Sequence, residues 1–397
     1  MACFVSRLRR LTFFISASFL RHDSRHYCKN TDTSQKSLSS TLRSIDKENN
    51  PETLHLLLRH SQITTTPGLI RAAHPVLVSA FRRLVASGHG TSVSDFLNAL
   101  KRSSPHIIRE SFAFGIITLY GKAGMGNKAS ETFLDLPFLG CPRTAMSFRA
   151  LLCALVDSDA VGSAFDLLEK VSVEHPKIIP GEVCYNVVIH GLLRKGDLEK
   201  VASVMGLMKE RGLSPNVVTR NTLMNGYYRN RRFDLAEMVW REMGDAKKTM
   251  KTYNARLRGL VEEGRTAEAI MLFEEMDRNG DTDGYSFTAV IMAHCRDGKL
   301  EEAKKLFEEM RKKRCRPNWL TFEALVPKLV EAGEIDMGLM LCEECFARKL
   351  RLTGEVLQSV VNFLVENSRV EDANKLVQLG CSSGFYDHEI FVPNSDP

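Results

Sequence analysis

Gly284–Asn318 reads GYSFTAVIMAHCRDGKLEEAKKLFEEMRKKRCRPN, which resolves into two short helices and a stop. The first runs over about Tyr285–Arg296 and ends at Asp297-Gly298, because glycine readily takes the left-handed conformation that closes a helix. The second is Leu300–Met310. Leu300, Ala303, Leu306, Phe307 and Met310 fall at i, i+3, i+6, i+7 and i+10 and form one apolar stripe, with Glu and Lys on the opposite face. Pro317 lacks an amide hydrogen and prevents continuation. The stretch is an αα-hairpin of about 35 residues.

The hairpin recurs. The second helix needs a small residue where helices approach closely, here Ala303, and counterparts stand at Ala129, Ala164, Val201, Ala236, Ala269, Gly338 and Ala373. Successive steps are 35, 37, 35, 33, 34, 35 and 35 residues. The glycine before the second helix recurs as Gly124, Gly196, Gly264, Gly298 and Gly333, and the closing Met as Met208, Met243, Met276 and Met310. Such a period predicts an all-α solenoid in which each hairpin buries its apolar face only against its neighbours.

Two helical repeats share this length. A tetratricopeptide repeat would open with a W-x2-L-G-x2-Y pattern, and neither of the two Trp sits in such a frame. What recurs instead is VCYNVVIHGLLRKGDLEKV (183–201), VTRNTLMNGYYRNRRFDLA (218–236) and KTYNARLRGLVEEGRTAEA (251–269). With LFEEM in the second helix and a terminal Pro-Asn, these segments resemble the pentatricopeptide repeat over about residues 110–380. The resemblance implies a right-handed solenoid of about eight to nine helical hairpins. With the Asn of Tyr-Asn at position 5, repeats begin at Glu110, Ala145, Glu182, Val217, Met250, Gly284, Trp319 and Gly354.

At 44% hydrophobic residues the chain belongs to the globular class. Its net charge of +6 is concentrated at the start: residues 1–30 hold six of the 54 basic and one of the 48 acidic residues, leaving 48 and 47. The repeat body is nearly neutral, so an anionic partner must be held by a local basic stripe. The Arg- and Ser-rich start, with no acid before Asp23, has the pattern of an organelle transit peptide. The prominent early Arg favours the mitochondrion over the plastid. Leu11–Leu20 is apolar but too short to span a bilayer, and no membrane partner is expected. Residues 1–40 are read as transit peptide and flexible joint, with 30–41 (NTDTSQKSLSST) as the joint. Residues 41–109 are read as degenerate capping repeats: a half-repeat at PETLHLLLRH (51–60) and an irregular one built from 76–88 and 93–102. The tail, 381–397, has no period and is expected to fray.

No P-loop, GxSxG or HExxH pattern occurs. His388-Glu389 does not form the H-x-E element of a deaminase, and no appended catalytic domain is expected after the last repeat. The ten cysteines lack a framework spacing and read as reduced core residues, Cys153 and Cys295 among them. Cys342 and Cys345 form a lone C-x-x-C that reads as packing, because a structural zinc needs a second ligand pair. No enzyme activity, cofactor, metal or small-molecule substrate is expected.

The resemblance implies a single-stranded RNA partner, one base per repeat. Position 5 and the last residue of a repeat would bond the base edge, position 2 would pack on the base face, and a cation late in the first helix would meet phosphate. Carried over, the base-binding pairs are Asn186/Asn216, Asn221/Thr249, Asn254/Asp283 and Thr288/Asn318; the packing residues are Val183, Val218 and Tyr285. The implied core is pyrimidine-pyrimidine-U-A. The phosphate contacts would be Lys122, Arg194, Arg229 and Arg296, with Asp157, Glu262 and Glu331 interrupting the stripe. Position 5 departs from the pattern at Phe114, Arg149, Glu323 and Gln358. The function implied is non-catalytic RNA binding supporting transcript stability, processing or translation. The alternatives are a structural repeat protein of a mitochondrial ribosome or other ribonucleoprotein, and a protein-binding scaffold.

Overall fold

The computed structural model describes residues 32–61, 69–103, 110–244, 248–383 and 390–392; the Arg-rich start expected to target the chain lies outside them. The fold is an all-α repeat solenoid, and the described residues hold twenty helices and no strand. The chain divides into two compact units, residues up to Asp159 and from Ala160 onward.

The first unit contains α1 (Asp32–Lys47), α2 (Pro51–His60), α3 (Leu69–Ala86), α4 (Gly90–Ser103), α5 (Glu110–Lys122), α6 (Gly126–Asp135) and α7 (Ala145–Asp157). Two expectations are corrected here. Residues from Asp32 onward are helical rather than a flexible joint, and 32–103 form two complete helix pairs instead of one and a half. Ile45 is fully buried, and the Arg83 guanidinium from α3 donates to the carbonyls of Ile45 (2.8 Å) and Glu48, covering the C-terminal end of α1. α3 likewise starts at Leu69 rather than Val76, carrying Pro75 inside it.

The second unit runs through α8 (Val161–Glu174), α9 (Glu182–Lys195), α10 (Leu198–Glu210), α11 (Val217–Arg229), α12 (Phe233–Glu242), α13 (Met250–Glu263) and α14 (Thr266–Arg278). It continues through α15 (Gly284–Arg296), α16 (Leu300–Lys312), α17 (Trp319–Glu331), α18 (Ile335–Ala347), α19 (Gly354–Glu366) and α20 (Val370–Ser382). The first helices from α9 to α19 pack one on the next, each also against its own second helix. In both units the first helices from α5 onward begin at the eight residues where the period places repeat starts.

The small residue of the second helix is at the centre of this packing: Ala129, Ala164, Val201, Ala236, Ala269, Ala303 and Ala373 are all 0% exposed. The closing Met208, Met243, Met276 and Met310 are buried beside them. An aromatic late in one second helix meets the aromatic at position 4 of the next hairpin. The pairs are Phe133–Phe148 (6.2 Å between centroids), Trp240–Tyr253 (5.2 Å), Phe273–Phe287 (4.9 Å) and Phe307–Phe322 (6.3 Å). Such pairs contribute about 0.5–1.5 kcal/mol beyond their buried area.

The turn between the helices of a hairpin needs one left-handed residue. Gly264 supplies it at φ 82°, closing α13 through bonds to the Leu260 and Val261 carbonyls. Where the register lacks glycine the conformation persists at a cost: Asp159 (φ 68°), Arg231 (φ 57°) and Ser368 (φ 60°) occupy the same position.

Candidate functional site

The last residue of each hairpin is also the N-cap of the next first helix. The Asn216 carboxamide oxygen accepts from the Thr219 amide (2.9 Å), Asp283 from Tyr285 (2.9 Å) and Ser286 (3.0 Å), and Asn318 from Leu320 (2.9 Å) and Thr321 (3.3 Å). The Thr249 amide donates to the Thr252 hydroxyl (3.0 Å). A side-chain cap satisfies amides that have no helical partner. These four residues are therefore held rigidly whatever else they do. The capping partners Thr219, Thr252, Ser286 and Thr321 are all fully buried.

Position 5 divides the repeats into two kinds. Asn186, Asn221 and Asn254 lie in consecutive first helices, half-buried, and each has a buried Oδ1 with no hydrogen-bond partner among the described residues. The Asn254 Nδ2 donates to both oxygens of Asp283 at 3.1 Å, which turns its Oδ1 away as a lone acceptor. Asn216 instead donates from Nδ2 to Glu182, the first residue of its own hairpin. Thr288 differs from expectation. It is 3% exposed; its hydroxyl donates to the Gly284 carbonyl (2.6 Å), lies 2.8 Å from the Thr321 hydroxyl and accepts from Asn318 Nδ2 at 3.1 Å. A hydroxyl so engaged is not an open contact for a base.

Of the expected packing residues, Tyr285 is 56% and Val218 48% exposed, and Val183 is half-buried. The cations separate. Lys122 pairs with Asp157 at 2.8 Å, so a cation and one of the carboxylates expected to break the stripe neutralise each other. Arg296 donates to the Val261 carbonyl (2.6 Å) at the C-terminal end of the preceding first helix, where the helix dipole favours positive charge. Arg229 is exposed. Partial desolvation, repulsion from Arg258 and repulsion from Arg194 lower its pKa, with Glu262 opposing them. Arg258 and Arg194 thus lie within electrostatic reach of Arg229. Arg258 was not anticipated; it bonds Asn225 (2.8 Å) and lies 3.6 Å from Glu262, so the expected break at Glu262 is balanced from one turn earlier.

Models of the PPR repeat family match residues 180–226 and 282–331, and models of the single PPR repeat match 211–244 and 251–281. Over these residues the chain carries pentatricopeptide repeats. It is 28% identical over 349 residues to the small ribosomal subunit protein mL103 (rPPR7) of Arabidopsis thaliana, covering 86% of this chain and 83% of that protein. It is 29% identical over 326 residues to a mitochondrial pentatricopeptide repeat-containing protein of the same plant, covering 80% and 75%. Among solved structures it resembles the pentatricopeptide repeat protein PPR10 in complex with an 18-nt psaJ RNA element, with a TM-score of 0.55 and 15% identity. That likeness concerns the fold; it covers 95% of this chain, which spans 53% of the PPR10 chain.

The hairpins that depart from the pattern at position 5 are closed by other contacts. The Arg149 guanidinium sits 5.2 Å from the Phe114 ring, and Glu323 accepts from the Thr353 amide (3.1 Å) and hydroxyl (2.5 Å). Gln358 is bonded to Phe391. Ile390 is buried beside that contact, so this part of the tail is docked rather than frayed. The C-x-x-C cysteines, Cys342 and Cys345, are both fully buried.

Proposed function

We propose that this protein binds single-stranded RNA without catalysing a reaction on it, in an organelle and specifically in the mitochondrion. The observation that carries this is the run of three Oδ1 acceptors at Asn186, Asn221 and Asn254, buried and unpartnered in successive hairpins. A buried acceptor without a donor costs about 1–3 kcal/mol. The residues themselves are only half-buried, so a carboxamide turned outward takes that donor from an unstacked base, through the ring N–H of uracil or guanine or an exocyclic amine. The exposed Val218 and Tyr285 suit the flat face of a base, and Arg229, with Arg194 and Arg258 in electrostatic reach, suits its phosphate. The proposed core is pyrimidine-pyrimidine-U across the hairpins starting at Glu182, Val217 and Met250. Reading of the following A falls to Asn318 with little help from Thr288, and is the weakest of the four.

Gel-shift titration with short single-stranded RNAs at fixed salt tests this, because backbone affinity is salt-dependent. Each of Asn186→Ala, Asn221→Ala and Asn254→Ala weakens binding to the cognate RNA by about 1–3 kcal/mol, the scale of one good base contact. Equal affinity for all sequences, unchanged in the three variants, would refute base reading. A second reading is favoured by one observation: the similarity to a small ribosomal subunit protein extends over 86% of this chain. A ribonucleoprotein component co-sediments with one ribosomal subunit at high salt, whereas a transcript binder follows its RNA.

A further inference from the structure

Gln358 occupies, in the hairpin starting at Gly354, the register position held by Asn186, Asn221 and Asn254 in the earlier hairpins. Its carboxamide is not open. Nε2 donates to the Phe391 carbonyl (2.8 Å) and to Asn362 Oδ1 (2.8 Å), while Oε1 accepts from the Phe391 amide (3.2 Å). A single residue of the tail thus offers a carbonyl and an N–H to one carboxamide, a donor–acceptor edge of the kind a nucleobase presents. The neighbouring Ile390 is 7% exposed, whereas the Phe391 ring is left 66% exposed. The contact therefore reads the main chain of residue 391 and anchors it with the side chain of residue 390.

We propose that Ile390–Val392 is a strap that fills the base-facing position of the last hairpin with the chain's own backbone. Gln358 is then a receptor for an extended peptide segment and not for a nucleotide. The consequence for RNA rests on the RNA-binding reading above: the strap ends the bound stretch before the last hairpin. Recognition of main chain also makes the strap indifferent to the side chain at 391, provided that residue has an N–H.

Two measurements on the full chain test it. Amide hydrogen exchange in the free protein is expected to show protection at Phe391 that Gln358→Ala weakens by about two- to tenfold, the worth of one hydrogen bond. Phe391→Ala leaves the residue-391 amide protected, whereas Phe391→Pro, lacking the N–H, is expected to release Ile390. Nuclease footprinting then compares the full chain with one lacking residues 390–397. Removal of the strap extends protection by about one nucleotide at one boundary, and Gln358→Ala in the shortened chain abolishes the gain. Unprotected exchange at Phe391 in the full chain overturns the proposal, as does an unchanged boundary in a shortened chain that still binds RNA. If no form of the protein binds RNA, the RNA reading fails by itself and the exchange data decide the strap.

Discussion

Replacing Gly259 by Ala tests the packing between successive first helices. A Cβ added to Gly259 would lie 2.3, 2.4 and 2.5 Å from three carbons of the Tyr228 ring, where unstrained carbons sit about 3.5–4.0 Å apart. The ring has nowhere to go. Tyr228 is 1% exposed, its hydroxyl donates to Glu237 at 2.6 Å, and Glu237 is itself clamped by Arg256 at 3.1 and 2.9 Å. Overpacking of this kind costs about 1–3 kcal/mol. Against it stands the helix-propensity gain of Ala over Gly, about 0.5–1 kcal/mol. The net expectation for Gly259→Ala is a loss of about 1–2 kcal/mol. Gly206 supplies the control: it lies inside α10 with nothing within 4 Å of the added Cβ, so Gly206→Ala keeps the propensity gain of about 0.5–1 kcal/mol. Thermal unfolding followed by circular dichroism should move in opposite directions for the two variants, by roughly 2–4 °C per kcal/mol for a unit of this size. If Gly259→Ala melts at or above the parent while Gly206→Ala is raised, the close approach of α11 and α13 is wrong.

Arg231 is exposed and holds a left-handed turn at φ 57°, so Arg231→Gly should stabilise the chain by about 0.5–1 kcal/mol; a lower denaturant midpoint would contradict the strain. Burial pushes the Cys345 thiol up from 9.0 to about 12 and the Cys295 thiol from 9.0 to about 11. The folded state therefore keeps these protons above the pH at which the unfolded chain loses them, and stability present below about pH 9 falls as the pH rises toward 11. Denaturant midpoints compared at about pH 8 and pH 10.5 should drop, and less so in Cys345→Ala; an identical drop in both proteins would remove the thiol from the explanation. A fluorescent reporter carrying residues 1–45 should enter mitochondria; cytosolic or secretory localisation would refute the targeting reading.

The starts of the first helices from α5 onward were legible because their signals are local. A helix boundary is set by a cap, an apolar stripe and a left-handed residue, all within about four residues of one another, and the period aligned them from Glu110 to Gly354. The small-residue row ending at Ala373 was legible for the same reason, since a solenoid repeats one contact. α1 was not legible, because its support is Arg83 from another hairpin. At position 5, Asn254 and Thr288 looked equivalent as polar side chains in equivalent places. Only the tertiary structure separates a buried acceptor left without a donor from a hydroxyl tied to Thr321 and Asn318. Lys122 and Asp157 looked like a contact and a break until they were found bonded to each other. Chain periodicity dictates which residues share a face, but whether a polar group on that face is satisfied depends on partners a whole hairpin away.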